Sequence, residues 1–141
     1  GGNESIDAAP ATVEGVPLDR LTDVRGRRPS RVVLPDGNAV PLRHWTNLWV
    51  EVVEYLLHDR EPSQNRPEIP WLFDKRCGVY YLNWEPERAK GVPMRYYRTI
   101  PWGGRDLFVL SAASATTLVH VSIALCREVG VDPGTFKLVV R

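Results

Sequence analysis

Aromatic and basic residues interleave through the middle of the chain. Trp71, Tyr80, Tyr81, Trp84, Tyr96, Tyr97 and Trp102 alternate with Lys75, Arg76, Arg88, Lys90, Arg95, Arg98 and Arg105. Exposed rings can stack on bases while neighbouring guanidiniums contact phosphates. The adjacent pairs Tyr80/Tyr81 and Tyr96/Tyr97 cannot each turn both rings inward from a strand, whose side chains alternate faces. The same residue types equally suit a protein–protein hot spot. They also suit an aromatic pocket for a small ligand or an extruded base, with Trp84 and Trp102 as walls. A second basic run lies upstream, where Arg25, Arg27, Arg28, Arg31 and Arg43 face the single acid Asp36. Guanidiniums are planar, bidentate partners for phosphate. Arg25, Arg27, Arg28 and Arg31 are therefore read as phosphate contacts. Trp84, Arg95, Arg98, Trp102 and Arg105 complete a candidate nucleic-acid surface.

The net charge of +1 conceals this segregation. Residues 1–24 carry −4 and residues 25–43 carry +4; residues 44–61 swing to −3 and residues 62–110 to +3. Segregated charge marks a partner surface. It equally allows an acidic tail to lie along an arginine-rich stretch.

Catalytic and metal chemistry lack parts. His44 and His58 stand at the two ends of one expected helix, about 21 Å apart at 1.5 Å per residue, too far to share a metal ion. His120 lies off the apolar stripe of its helix. No G-x-S-x-G elbow occurs. Gly103-Gly104 lacks the Lys and Ser/Thr of a phosphate-cradling loop. Nothing fixes the geometry of Glu85 and Glu87. Cys77 sits beside Lys75 and Arg76, a setting that favours a thiolate where exposed, and Cys126 falls on an apolar helix face. Two such cysteines form neither a disulfide framework nor a zinc site, and they suit a reducing, cytoplasmic compartment. The expectation is a binding module that is not an enzyme and uses no metal or cofactor.

These residues must be positioned by a single domain, since 141 residues is an ordinary domain length. No run of 18 apolar residues is present, so no membrane span is expected. Gly1-Gly2 has the look of a cleavage scar, which suggests a piece of a larger multidomain chain. Residues 1–24, rich in acids and without apolar period, read as a flexible acidic linker or tail, though Val16, Leu18 and Leu21 could dock. Residues 25–141 form the domain, with order beginning near Arg31. Arg31–Leu34 and Ala39–Leu42 flank an Asp-Gly turn as a hairpin, and Pro41 makes its second strand short or an edge. Trp45, Leu48, Trp49, Val52, Val53 and Leu56 follow helical spacing and predict a helix from His44 to His58. On such a stripe the tryptophans belong to the core.

Residues 59–76 read as a loop with one apolar anchor around Trp71, and Gly78–Asn83 as a strand. Residues 84–95 read as another loop. Met94–Ile100 and Arg105–Leu110 are strands joined by a glycine turn. Ser114 is an N-cap for a second helix, Gly130 its C′ residue, and Phe136–Val140 a closing strand. The fold class is α+β. A small mixed or antiparallel sheet, built from the hairpin, the later strands and the closing strand, packs against two amphipathic helices.

Arg31-Val-Val-Leu-Pro-Asp-Gly, His44-Trp-Thr-Asn-Leu-Trp, Leu107-Phe-Val-Leu-Ser-Ala-Ala-Ser-Ala and Cys126-Arg-Glu-Val-Gly-Val-Asp-Pro follow one another in an order that resembles a known pattern. It is that of a small accessory α+β domain, often C-terminal, of bacterial restriction-like and other nucleic-acid-associated proteins. The resemblance spans residues 27–140 in element order and is close at the two helix starts. His44 replaces the Ser that usually precedes the first Trp, and Ser111-Ala112 stands in place of Thr-Asn. It implies an accessory binding module with a nucleic-acid or protein partner and no catalytic residue.

Overall fold

Trp49 is fully buried, and its indole N–H donates to the Leu110 carbonyl at 2.9 Å. That bond fixes helix α1 (Trp45–Leu57) against the strand that leads into helix α2 (Ala115–Glu128). The stripe read from the sequence is the buried face. Leu48, Val52 and Val53 are wholly inaccessible, and Trp45 and Leu56 nearly so. The computed structural model describes residues 15–64 and 66–141. Among them are two helices, packed on each other, and ten strands in antiparallel sheets. No helix among the described residues is long and apolar enough to cross a membrane.

The strands are β1 (Val16–Pro17), β2 (Pro29–Val33), β3 (Ala39–Pro41), β4 (Trp71–Leu72), β5 (Tyr80–Asn83), β6 (Glu87–Ala89), β7 (Val92–Pro93), β8 (Tyr97–Trp102), β9 (Arg105–Leu110) and β10 (Lys137–Val140). They form two four-stranded sheets, ordered β1-β10-β2-β3 and β4-β5-β9-β8, and a separate β6–β7 hairpin. Proline-bearing β3 is an edge, as its missing N–H requires. The β8–β9 ladder runs unbroken from Arg105 opposite Trp102 to Leu110 opposite Tyr97. Its turn, Gly103-Gly104, has both φ positive at 61° and 78°. That is the conformation a tight two-residue hairpin needs. A Cβ on Gly103 would also fall 2.4 Å from Pro62 Cγ.

Three expectations are corrected. Residues 16–24 belong to the folded body, because β1 pairs with β10 and Leu18 and Val24 are buried. Their apolar residues are too sparse to show a period, and only the partner strand makes them a strand. Residues 1–14 of the expected tail lie outside the described residues. Residues 84–95 are not wholly loop: Asn83 Nδ2 donates to the Glu87 carbonyl at 2.9 Å and the β6–β7 hairpin follows. The strand expected from Met94 begins at Tyr97, and Met94 is a buried connection.

Both ends of α2 are closed as predicted. Ser114 Oγ accepts from the Thr117 N–H at 3.2 Å. Gly130 has φ of 79°, while its N–H and that of Val131 donate to the Arg127 and Cys126 carbonyls. This is the double bond pattern of a glycine-terminated helix. Cys126 is buried inside that helix, which pushes its thiol up to about 12. A single side chain gathers the other helix end. Arg60 Nε donates to the Leu56 carbonyl at 2.8 Å and Nη2 to the Val129 carbonyl at 3.0 Å. Its own carbonyl accepts the Trp102 indole N–H at 2.8 Å. One half-buried guanidinium thus satisfies the last carbonyls of both helices, where positive charge is favoured. Arg60→Met keeps the stem and loses both bonds. Unfolding in urea should show a loss of about 1.5–3 kcal/mol, the range for hydrogen bonds from a charged group. An unchanged midpoint would mean that the carbonyls are satisfied by water.

Candidate nucleic-acid interface

The first residues of both helices, Trp45 and Ala115, line one cleft of about 500 Å³ together with Arg27, Arg28, Arg43 and His44. Each basic residue is set there by its backbone. Gly26, with φ of 75°, turns the chain, and the Arg27 N–H closes the turn on the Val24 carbonyl at 3.0 Å. The Trp45 indole then donates to the Arg27 carbonyl at 3.0 Å. Arg28 exchanges N–H···O bonds with Arg141 at 3.2 and 2.8 Å. Asn47 Oδ1 accepts from the N–H groups of Arg43 and His44 at 3.2 and 2.9 Å, holding the entry to α1. All four basic side chains belong to exposed residues. Among the described residues no carboxylate pairs with Arg27, Arg28 or Arg43.

Helix N-termini carry partial positive charge and ordinarily attract acids. Neither α1 nor α2 has an acid in its first turn. Three arginines, beside His44, crowd a place where cations are disfavoured. Exposed guanidiniums and the starts of both helices thus line one cleft, the kind of setting in which anions are favoured.

The residues expected at the site fare differently. Arg27 and Arg28 line the cleft. Arg25 is exposed but held by Asp23, with bonds of 3.1, 2.9 and 2.6 Å, and that guanidinium draws the Asp23 carboxyl below its usual range. Arg31 lies half-buried on β2, opposite Pro41 and outside the cleft lining. Trp102 is corrected from a loop wall to a buried strand residue, 6% exposed, whose N–H is spent on Arg60. Trp84 stacks on it at 5.6 Å with planes 17° apart, and Arg105 Cζ sits 4.2 Å from the centre of the Trp84 ring. Directly opposite Trp102 in the ladder, Arg105 is exposed and its guanidinium is engaged on the Trp84 face. Arg95 and Arg98 are exposed at the start of β8 and before it. Cys77 is exposed with Asp74 Oδ2 3.8 Å from its sulfur, so an acid joins the cations expected beside it.

Arg43, a member of the basic run, and His44 line the cleft without being among the contacts expected from the sequence. The available signal was Arg43 just before a helix start, against the dipole. The other end of α1 has the opposite sign. Asp36, Glu51, Glu54 and Asp59, with His58 and Arg60, line a cleft of about 690 Å³. Partial burial raises the Glu51 carboxyl, and the charge of Glu54 raises it further. The folded chain therefore holds the Glu51 proton more tightly than the unfolded chain does. Its favourable contribution is present at low pH and is lost as pH rises from the ordinary carboxylate value through the raised one. Glu51→Gln should raise the melting temperature at pH 7 and leave it nearly unchanged at pH 4 in scanning calorimetry. An equal shift at both values would assign the effect to something other than the charge.

Comparison with known proteins adds no relative to this geometry: no family model matches the chain, and no curated protein or solved structure matches it.

Proposed function

We propose that the chain is an accessory module that binds nucleic acid and acts by binding rather than by catalysis, taking phosphates into the cleft where α1 and α2 begin. The observation that carries this reading is the set of Arg27, Arg28 and Arg43, unpaired by acids among the described residues and lining one cleft with two helix N-termini. An anion with several oxygens relieves that repulsion and accepts from both guanidinium and backbone N–H groups. The resemblance of the helix starts to accessory domains of nucleic-acid-associated bacterial proteins supports the same setting, within a larger cytoplasmic protein. Free cysteines at Cys77 and Cys126 suit that reducing compartment.

Phosphate contacts release counterions, so affinity falls with salt by a slope of about 0.9 per contact on duplex DNA. Anisotropy of labelled oligonucleotides, single-stranded and duplex, at about 50 and 200 mM salt reads this slope. Binding should weaken steeply with salt, and Arg27→Ala/Arg28→Ala/Arg43→Ala should lower affinity at least tenfold and flatten the slope, with the melting temperature unchanged or raised. Absence of binding at both salts overturns the proposal. Self-association that ignores added nucleic acid, seen by sedimentation, would give the surface to a protein partner instead.

A further inference from the structure

We infer that the nucleic acid is read as a single strand, with its bases stacked on Tyr96 and Tyr97; this rests on the phosphate cleft proposed above. Tyr96 is 68% exposed and Tyr97 41% exposed, and with Val16 they are the exposed large apolar side chains of the described residues. Neither tyrosine ring is needed by the core. Arg95 and Arg98 flank them, both exposed and without a carboxylate partner among the described residues.

Their position ties them to the cleft. The Tyr96 carbonyl accepts the Ser111 N–H at 3.0 Å, and Tyr97 pairs with Leu110. Two residues beyond Ser111, Ala113 lines the basic cleft, and Ala115 follows as the first residue of α2. The span from the Tyr96 backbone to the cleft wall is therefore at most about 10 Å, given 3.3–3.6 Å per extended residue. Neighbouring nucleotides of one strand cover such a distance. Tyr97 is also braced, its ring meeting Phe108 at 5.2 Å and 67°, so a base stacking there finds a partly fixed partner.

A duplex has its bases already paired and stacked, and it offers these rings only phosphates and groove edges. An unpaired strand offers the face of each base, which every base presents alike. Of the other candidate rings, Trp102 is buried and stacked on Trp84, and Arg105 lies over the Trp84 face. At the tyrosine edge two exposed rings and two exposed arginines stand together.

The experiment uses the full chain with a labelled DNA strand of about 15 nucleotides, the RNA of the same sequence, and the duplex form of the DNA, at about 50 mM salt. Both single strands should bind more tightly than the duplex. Tyr96→Ala should weaken single-strand binding about five- to hundredfold, the range for loss of one stacked base, and leave duplex binding alone. Tyr96→Phe, which keeps the ring, should restore it. Tyr96 is exposed, so an unchanged melting temperature confirms that the variants are folded. Equal binding of strand and duplex with Tyr96→Ala silent overturns the inference. If duplex binding is nonetheless lost in Arg27→Ala/Arg28→Ala, the phosphate cleft stands and only the single-strand reading falls. Binding to none of the three nucleic acids overturns both.

Discussion

A buried indole N–H must find an acceptor, because leaving it unpaired away from water costs on the order of 1–3 kcal/mol. Trp49 meets that demand at the Leu110 carbonyl, 61 residues along the chain. Trp45 meets it at Arg27 and Trp102 at Arg60. Each ring supplies a large apolar area to the core, and each N–H permits one placement of that area. Together these bonds connect α1, the turn before β2, the end of α1 and the ladder of the second sheet. Hydrophobic burial alone would tolerate helices sliding on the sheets; three donors aimed at three carbonyls do not. Trp71 packs tilted and Tyr81 edge-on against Trp49, and Phe73 packs edge-on against Tyr81, at centroid separations of 6.0–6.4 Å.

The same device builds the cleft. The ring that anchors α1 in the core at Trp45 also fixes the backbone of Arg27, so a core residue positions a surface cation. Asn47, a polar residue in the first turn of α1, spends its side-chain oxygen on the backbone of Arg43 and His44. Local satisfaction of donors there leaves the charged groups themselves uncompensated. The packing of the domain and the charge of this surface are thus arranged by neighbouring atoms of the same residues. Arg60 works in the opposite sense, since its charge agrees with both helix dipoles and is absorbed into the fold.

Helix α1, the caps of α2, the opening hairpin and the β9 strand were legible because periodicity, capping chemistry and turn residues agreed there. The apolar repeat from Trp45 to Leu56 and the Ser114 and Gly130 signals are local, and local signals survive reading one residue at a time. What the sequence hid depends on partners. Val16-Pro17 becomes a strand only because Lys137-Leu138 lies beside it. The β6–β7 hairpin has too few apolar residues to show a period. The site divides along the same line. Arg27, Arg28 and Arg43 were legible as one basic run, but that Arg43 meets the other two in one cleft beside His44 follows only from two helices beginning at one place. Trp102 looked available because Pro101 and two glycines surround it in sequence. The Arg60 carbonyl, 42 residues away, is what takes its N–H inside.

Arginines gather at the beginning of α1 and acids outnumber Arg60 toward its end, so the net side-chain charge at each end has the sign of the backbone dipole there. A 13-residue helix is about 20 Å long, longer than the Debye length of about 8 Å at physiological salt. Each end is therefore sensed separately by a charged body at close range. A polyanion approaching such a molecule exerts a torque as well as an attraction, turning the basic end inward and the acidic end away before any contact forms. A domain tethered to a larger protein would arrive at its target already facing it.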